Sequence, residues 1–237
     1  MTDTESIIIR YPKTGLPAGQ KWKGDFLLKD GKLTHVVAPA DETGIPVVHV
    51  SYPQFVALGG PVDPTPTAPG KRVAIDPHLV TYNRNPKSSV GRSEIEAGLR
   101  AAGVSVNNAW VTGFQTAMGR ESSGNPNACN MNDLNNVTPA GYSKVHDYGD
   151  GYMSNGSIVK LSGQLVNFQC SRGALQDIPQ TFASHHVSGT SYNIYDTTAG
   201  VAATVFYLMA NYGVATDGHN LASNVQQFDP NRSPRGY

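Results

Sequence analysis

The sequence predicts an α+β protein, with a small N-terminal β-rich domain, a Pro-rich linker, and a mainly helical domain carrying a long loop insertion. Three observations predict this. Residues 6–51 read as short apolar and alternating runs of strand type. The stretch GGPVDPTPTAPGK, Gly59 to Lys71, carries Pro and Gly too often for helix or strand. Beyond it the apolar spacing moves from two toward 3.6. The expected boundaries are 1–58 for the β domain, 59–72 for the linker and 73–237 for the helical domain with a polar tail.

Within the first domain, IIIR, KWKGDFLLKDGKLTHVV and IPVVHVS are the strand candidates. The KDGK turn sets Asp30 and Gly31 between Leu28 and Leu33, a hairpin signal because that dipeptide tolerates positive φ. In the second domain SSVGRSEIEAGLRAAG supplies caps, helix formers and Gly103 as a stop. A second helix starts near Asn107 or Asn108 and runs through AWVTGFQTAMGRE. A third is expected at 179–184, and a fourth from Asp196 as N-cap to Gly213. Residues 130–167 read as a long loop insertion, and QQFDPNRSPRGY as an extended surface tail.

Eighteen basic and 18 acidic residues cancel, so no net field steers the chain to nucleic acid or an anionic membrane. No apolar run approaches the roughly 20 residues that span a bilayer. The N-terminus, MTDTESIIIRYPK, has acidic residues where a secretory signal would carry basic ones, so no signal peptide is expected. A neutral partner such as a polysaccharide fits this balance.

On the second helix Trp110, Phe114, Ala117, Met118 and Glu121 form one stripe, with Glu121 within about 20° of Trp110 at about 100° per residue. A carboxyl at the edge of an apolar cluster holds its proton nearer neutrality, as an acid that cleaves a glycosidic bond must. A glutamate ending an amphipathic helix in a salt bridge would give the same spacing. Cys129 and Cys170 could be buried thiols or a disulfide; neither has the spacing of a metal site, and neither a metal nor a cofactor is expected. The tandem His185 and His186 has no companion ligands, and HDYGDG lacks the ligand spacing of a calcium loop. Tyr142, Tyr148 and Tyr152 could stack on sugar faces or simply pack within the insertion.

GRESSGNPNA, then SRGALQDIPQTF, then NIYDTTAGVAATVFYLMANYG resemble, in this order, the lytic transglycosylase and goose-type lysozyme family of the lysozyme superfamily. The resemblance covers roughly Asn107 to Gly213. It implies Glu121 as the single catalytic glutamate and Ser122, Gln176, Tyr207 and Asn193 as substrate-binding residues, with Tyr207 orienting Glu121 and with Thr181 and Phe182 as the packing Thr-Phe pair. Two departures stand out: Ala174 and Leu175 replace Leu-Met, and Gly200 stands where the family usually has a polar Asn. The resemblance also brings the loops of Cys129 and Cys170 to one cleft. A disulfide there would remove about 4 kcal/mol of loop entropy from the unfolded chain.

The activity implied is cleavage of the β-1,4 bond between N-acetylmuramic acid and N-acetylglucosamine, as a lytic transglycosylase or muramidase. The glutamate would protonate the leaving oxygen and then take the proton of the C6 hydroxyl, forming a 1,6-anhydro sugar. Hydrolysis would need a second carboxylate; Asp133 and Asp177 lie near the relevant loops but match no motif position. The long insertion and DPNRSPRGY are similar to tail and lysis proteins of phages of actinobacteria. This implies a virion setting at the host cell wall, with peptidoglycan strands and, through the N-terminal domain, other phage tail proteins as partners. The competing expectation is a non-catalytic structural or glycan-binding minor tail protein.

Overall fold

The computed structural model describes four strands between residues 7 and 49, and residues 70–237 except 133. The chain divides into two compact units, 1–68 and 69–237. Asp30 and Gly31 of the KDGK turn, the Pro-rich stretch up to residue 69, and Asp133 lie outside the described residues.

The described residues of the first unit form a four-stranded sheet. It holds β1 (Ile7–Arg10), β2 (Asp25–Lys29), β3 (Lys32–Val36) and β4 (Val47–His49) in the order β3-β2-β1-β4. β2 and β3 pair antiparallel with Leu28 opposite Leu33 and Lys29 opposite Lys32. β4 joins β1 in parallel.

The described residues of the second unit form four helices of more than one turn, whose ends are set by local chemistry. Helix α1 (Arg92–Ala102) starts at Gly91, whose N–H donates to the Glu94 carboxylate at 2.8 Å, and ends on left-handed Gly103. Helix α2 (Asn108–Ser122) is capped by Asn107, which accepts from Trp110 N at 3.1 Å. It stops at Ser123, whose φ is 55°. Helix α3 (Pro179–Ser184) opens with proline, and α4 (Thr197–Tyr212) with Asp196, which accepts from Ala199 N at 2.9 Å. A last turn of helix, α5 (Leu221–Asn224), leads into a 3-10 turn, Gln226–Phe228.

Helix α4 is buried along most of its length and serves as the hub. It lies against α1 so closely that a Cβ on Gly98 would meet Val201 Cβ at 2.5 Å. The stripe of Trp110, Phe114, Ala117 and Met118 is buried in the main core with Leu99, Val205, Leu208 and Phe228. No helix among the described residues is long and apolar enough to cross a membrane.

Two expectations fail. Residues 130–167 are not an irregular loop. Strands β5 (Ala128–Asn130), β7 (Asp150–Tyr152), β8 (Ile158–Lys160) and β10 (Ser171–Arg172) build a sheet in the order β10-β5-β7-β8, while β6 (Val145–Asp147) pairs with β9 (Gln164–Val166). The strands are two or three residues long, too short for periodicity to register. Nor is the C-terminal tail confined to the surface: Gln227 is 4% and Phe228 0% exposed, and Phe228 meets Phe114 edge to face at 5.3 Å.

The inner face of this β region is fixed by an ion pair with no solvent contact. Arg172 Nε donates to Asp147 Oδ2 at 2.7 Å, and both side chains are 0% exposed. The rest of the guanidinium donates to the carbonyls of Asn167, Phe168 and Cys170 and lies 4.7 Å from the Tyr82 ring centre. Asp147 Oδ1 accepts from Tyr195 Oη at 2.7 Å and from Gly149 N at 2.9 Å. Every polar atom of the pair therefore has a partner, the condition under which a buried pair is tolerable. The Arg172 backbone in turn exchanges two 2.9 Å hydrogen bonds with Asp177, which places 171–177.

Candidate functional site

Glu121 stands in the last turn of α2, the one polar member of its buried stripe. Its neighbour Ser122 turns inward, so the helix end presents the Glu121 carboxyl to a cleft of about 390 Å³. One wall is Ser171, Leu175, Gln176 and Asp177, from β10 and the turn that follows it; the other brings Tyr207 from α4 and Tyr237 from the tail. Asn130 and Asn135 add amides, and Thr181 a hydroxyl.

Burial raises the Glu121 carboxyl above its usual range, and a hydrogen bond from Gln227 opposes part of that rise. Gln227 Nε2 donates to Glu121 Oε1 at 2.5 Å. A carbonyl oxygen accepts better than a hydroxyl oxygen, so this N–H on Oε1 favours the neutral form with its proton on Oε2. Tyr207 makes ring contacts with His185 at 5.4 Å, Tyr212 at 5.9 Å and Tyr237 at 6.0 Å. Burial pushes its phenol up to about 12, so it stays a neutral O–H at any physiological pH.

Asp177 is the second carboxyl of the cleft. Burial lifts it to about 7, against the nearby Thr204 hydroxyl and with the charge of Glu121 adding to the rise. It uses the room left by a missing side chain: a Cβ on Gly200 would sit 3.8 Å from Asp177 Oδ2. The polar position that Gly200 vacates on α4 thus faces a carboxyl reaching from the opposite wall.

A carboxyl raised from 3.8 to about 7 stabilises the folded chain at low pH and loses that contribution as pH climbs through about 7. Urea midpoints of the unmutated chain are therefore expected to fall between those two values. In Asp177→Asn, which stays neutral throughout, the fall should be smaller; an equal slope in both chains would contradict the assignment.

Compared with models of known families, with curated proteins and with solved structures, the chain matches none. The site therefore rests on its own geometry.

That geometry brings Glu121, Gln176, Tyr207 and Thr181 together and leaves other expected residues outside. Ser122 is 6% exposed, and its hydroxyl donates to the carbonyls of Met118 at 3.1 Å and Ala174 at 2.9 Å, tying helix to cleft wall rather than meeting a ligand. Asn193 is not among the residues lining the cleft; its amide donates to Asn83 O at 2.8 Å beside the bridge to Thr81. Tyr207 shares the cleft with Glu121, but the group bonded to the carboxyl is Gln227. Gln176 lines the cleft in a left-handed conformation, φ 56°, with its amide N–H donating to Gly173 O at 2.8 Å. That commits its nitrogen and leaves Oε1 as the acceptor it can offer. Phe182 is fully buried, in keeping with a packing role.

Cys129 and Cys170 do come together, both 0% exposed, but as neighbouring thiols and not as a disulfide. Their contact and burial push the Cys129 thiol far up, so it is inert as a nucleophile. The acidic HDYGDG stretch serves the fold: Asp147 pairs with Arg172, and Asp150 accepts from Arg84 at 2.7 Å. His186 is buried and His185 caps α3. Tyr142 stacks between His78 at 4.8 Å and Phe168 at 4.2 Å, and the Tyr152 hydroxyl accepts from Asn125. No group of three or more His, Cys, Asp or Glu among the described residues could hold a metal ion.

Sequence reasoning missed Gln227 and Tyr237 altogether. Both lie in a stretch whose Pro, Gly and charge suggested only a surface tail. The signal that could have marked them is Phe228, a large apolar residue between polar neighbours, which a solvated tail would have no reason to carry.

Proposed function

We propose that residues 69–237 cleave the β-1,4 bond between N-acetylmuramic acid and N-acetylglucosamine in peptidoglycan, with Glu121 as the acid. The observation that carries this reading is a half-buried carboxyl, raised by burial, that opens on a cleft walled by two tyrosines. Sugar rings present flat C–H faces that suit aromatic walls, and hydroxyl and N-acetyl groups that suit the amides of Asn130, Asn135 and Gln176. The neutral net charge of the chain agrees with a glycan rather than a polyanion. The order of the three motifs similar to the lytic transglycosylase and goose-type lysozyme family supports the same bond as target.

Glu121 Oε2 gives its proton to the bridging oxygen as the C1–O bond breaks. In the transglycosylase route the C6 hydroxyl of the same sugar attacks C1 and returns its proton to Glu121, and a tethered hydroxyl needs only positioning. Asp177 favours a second route. In chains with Asp177 ionised and Glu121 neutral, a state that the rise of Asp177 to about 7 makes the minor one below that pH, Asp177 takes a proton from a water that attacks C1, and the product is an ordinary reducing end.

Product analysis separates them. If Asp177 is the base, Asp177→Asn stops release of reducing ends; if it is not, the variant keeps producing anhydro-muropeptides. Loss of clearing on purified peptidoglycan in Glu121→Gln tests the reading as a whole, and undiminished clearing would overturn it. For the setting we propose a phage tail protein acting at the host wall, with the four-stranded N-terminal unit docking onto other tail proteins. If no clearing occurs with the unmutated chain or any variant, the reading that replaces it is a non-catalytic structural or glycan-binding tail protein.

A further inference from the structure

We infer that Gln227 is a positioning residue for the acid, and that residues 226–237 form a strap that completes the cleft. The inference rests on the reading of Glu121 as the acid and goes beyond it, because the three motifs that resemble the lysozyme superfamily end at Gly213, before this segment.

The strap is anchored by the residue next to Glu121. Arg120 Nη1 donates to the carbonyls of Gln226 at 3.1 Å and Gln227 at 3.0 Å, and its Nη2 to Arg232 O at 2.6 Å. Two successive residues of the last turn of α2 thus hold the same segment, one by its backbone and one by a side chain. Gln227 is 4% exposed and has both ends of its amide engaged: Nε2 on Glu121 and Oε1 accepting from Arg235 N at 2.9 Å. The chain then returns to the cleft. Tyr237 packs edge to face on Phe228 at 5.1 Å and donates its hydroxyl to Leu175 O at 3.0 Å, on the wall that carries Gln176 and Asp177.

This arrangement fixes three things the chemistry needs. The carboxyl plane cannot rotate away while Oε1 accepts from a buried amide. The proton is favoured on Oε2. The amide N–H also favours the carboxylate that remains after proton transfer, which limits how far burial alone would raise the group. Among the described residues the other titratable side chains of the cleft are Asp177, Tyr207 and Tyr237, and Arg120 is committed to backbone carbonyls.

The test compares Gln227→Leu and Gln227→Glu with the unmutated full chain, reading muropeptide release against substrate concentration and pH. The carboxyl introduced by Gln227→Glu would keep an acceptor for Arg235 N, so the strap stays held, while the fixed N–H donor to Glu121 is replaced by a carboxyl that shares one proton with it. Misplacement of a catalytic group costs about a hundredfold, so kcat is expected to fall by about tenfold to a hundredfold, with KM nearly unchanged. Loss of the donor raises the Glu121 carboxyl, so the alkaline limb of the profile should move to higher pH, further in Gln227→Glu because of the like charge. A merely structural strap would lower the amount of active protein without moving that limb. An unmoved limb and an unchanged kcat in Gln227→Glu, with Glu121→Gln inactive, would overturn the positioning role and leave the acid in place. Full activity in Glu121→Gln would overturn the acid itself, and the positioning role with it.

Discussion

Glu121→Gln is expected to lower muropeptide release by about a thousandfold, the middle of the range for removal of a positioned proton donor. That corresponds to about 4 kcal/mol of lost transition-state stabilisation. The substitution changes one atom's chemistry and little else. A glutamine at 121 still offers a carbonyl oxygen to Gln227 Nε2, keeps the methylene packing at the end of the buried stripe, and no longer asks the cleft to hold a charge. Binding of peptidoglycan should survive and folding should be unimpaired, so the loss will appear in kcat. Release of muropeptides at an undiminished rate would remove Glu121 from the chemistry.

The largest expected effect on stability lies at the buried pair. Asp147→Ala leaves the Arg172 guanidinium, 0% exposed, without its counter-charge and the Tyr195 hydroxyl without its acceptor. Breaking such a pair from one side costs about 3–5 kcal/mol, more than deleting an ordinary surface bridge, because the remaining charge cannot reach water. Arg172 also spaces the backbone of Asp177, so the Asp147 change should loosen the cleft wall and reduce activity along with the urea midpoint. An unfolding free energy within about 0.5 kcal/mol of the unmutated chain, the scale of an exposed substitution, would show the pair to be dispensable.

These two sites differ in how much of them the residues announced in advance. The helices were legible because their ends are local events. Asn107 and Asp196 accept from backbone N–H groups three residues on, and Gly103 and Gly213 take the left-handed turn that closes α1 and α4. The Glu121 stripe was legible for the same reason, since one face of one helix carries it. The β region was not. Its strands are held by pairings such as Cys129 with Arg172 and Cys129 with Gly151, and by an ion pair across 25 positions, none of which leaves a short-range pattern.

Motif position also misled where neighbours along the chain face opposite ways. Ser122 follows Glu121 directly, yet one step of about 100° around the helix turns its hydroxyl to the carbonyl of Ala174. Asn193 precedes α4 closely, yet its amide is spent on the backbone of residue 83. Asp177 and Gln227 failed to stand out for the converse reason. Each enters the cleft through contacts that only the folded chain creates: the space above Gly200 for one, and a partner 106 positions away for the other.

Whether this cleft breaks a glycosidic bond by proton transfer from Glu121 is tested most directly by mass analysis of purified peptidoglycan after exposure to the full chain. The expected result is new glycan fragments ending in N-acetylmuramic acid, as anhydro or reducing ends, and their absence with Glu121→Gln. Fragments of unchanged yield from both chains, or intact glycan strands bound but uncut by both, would contradict it.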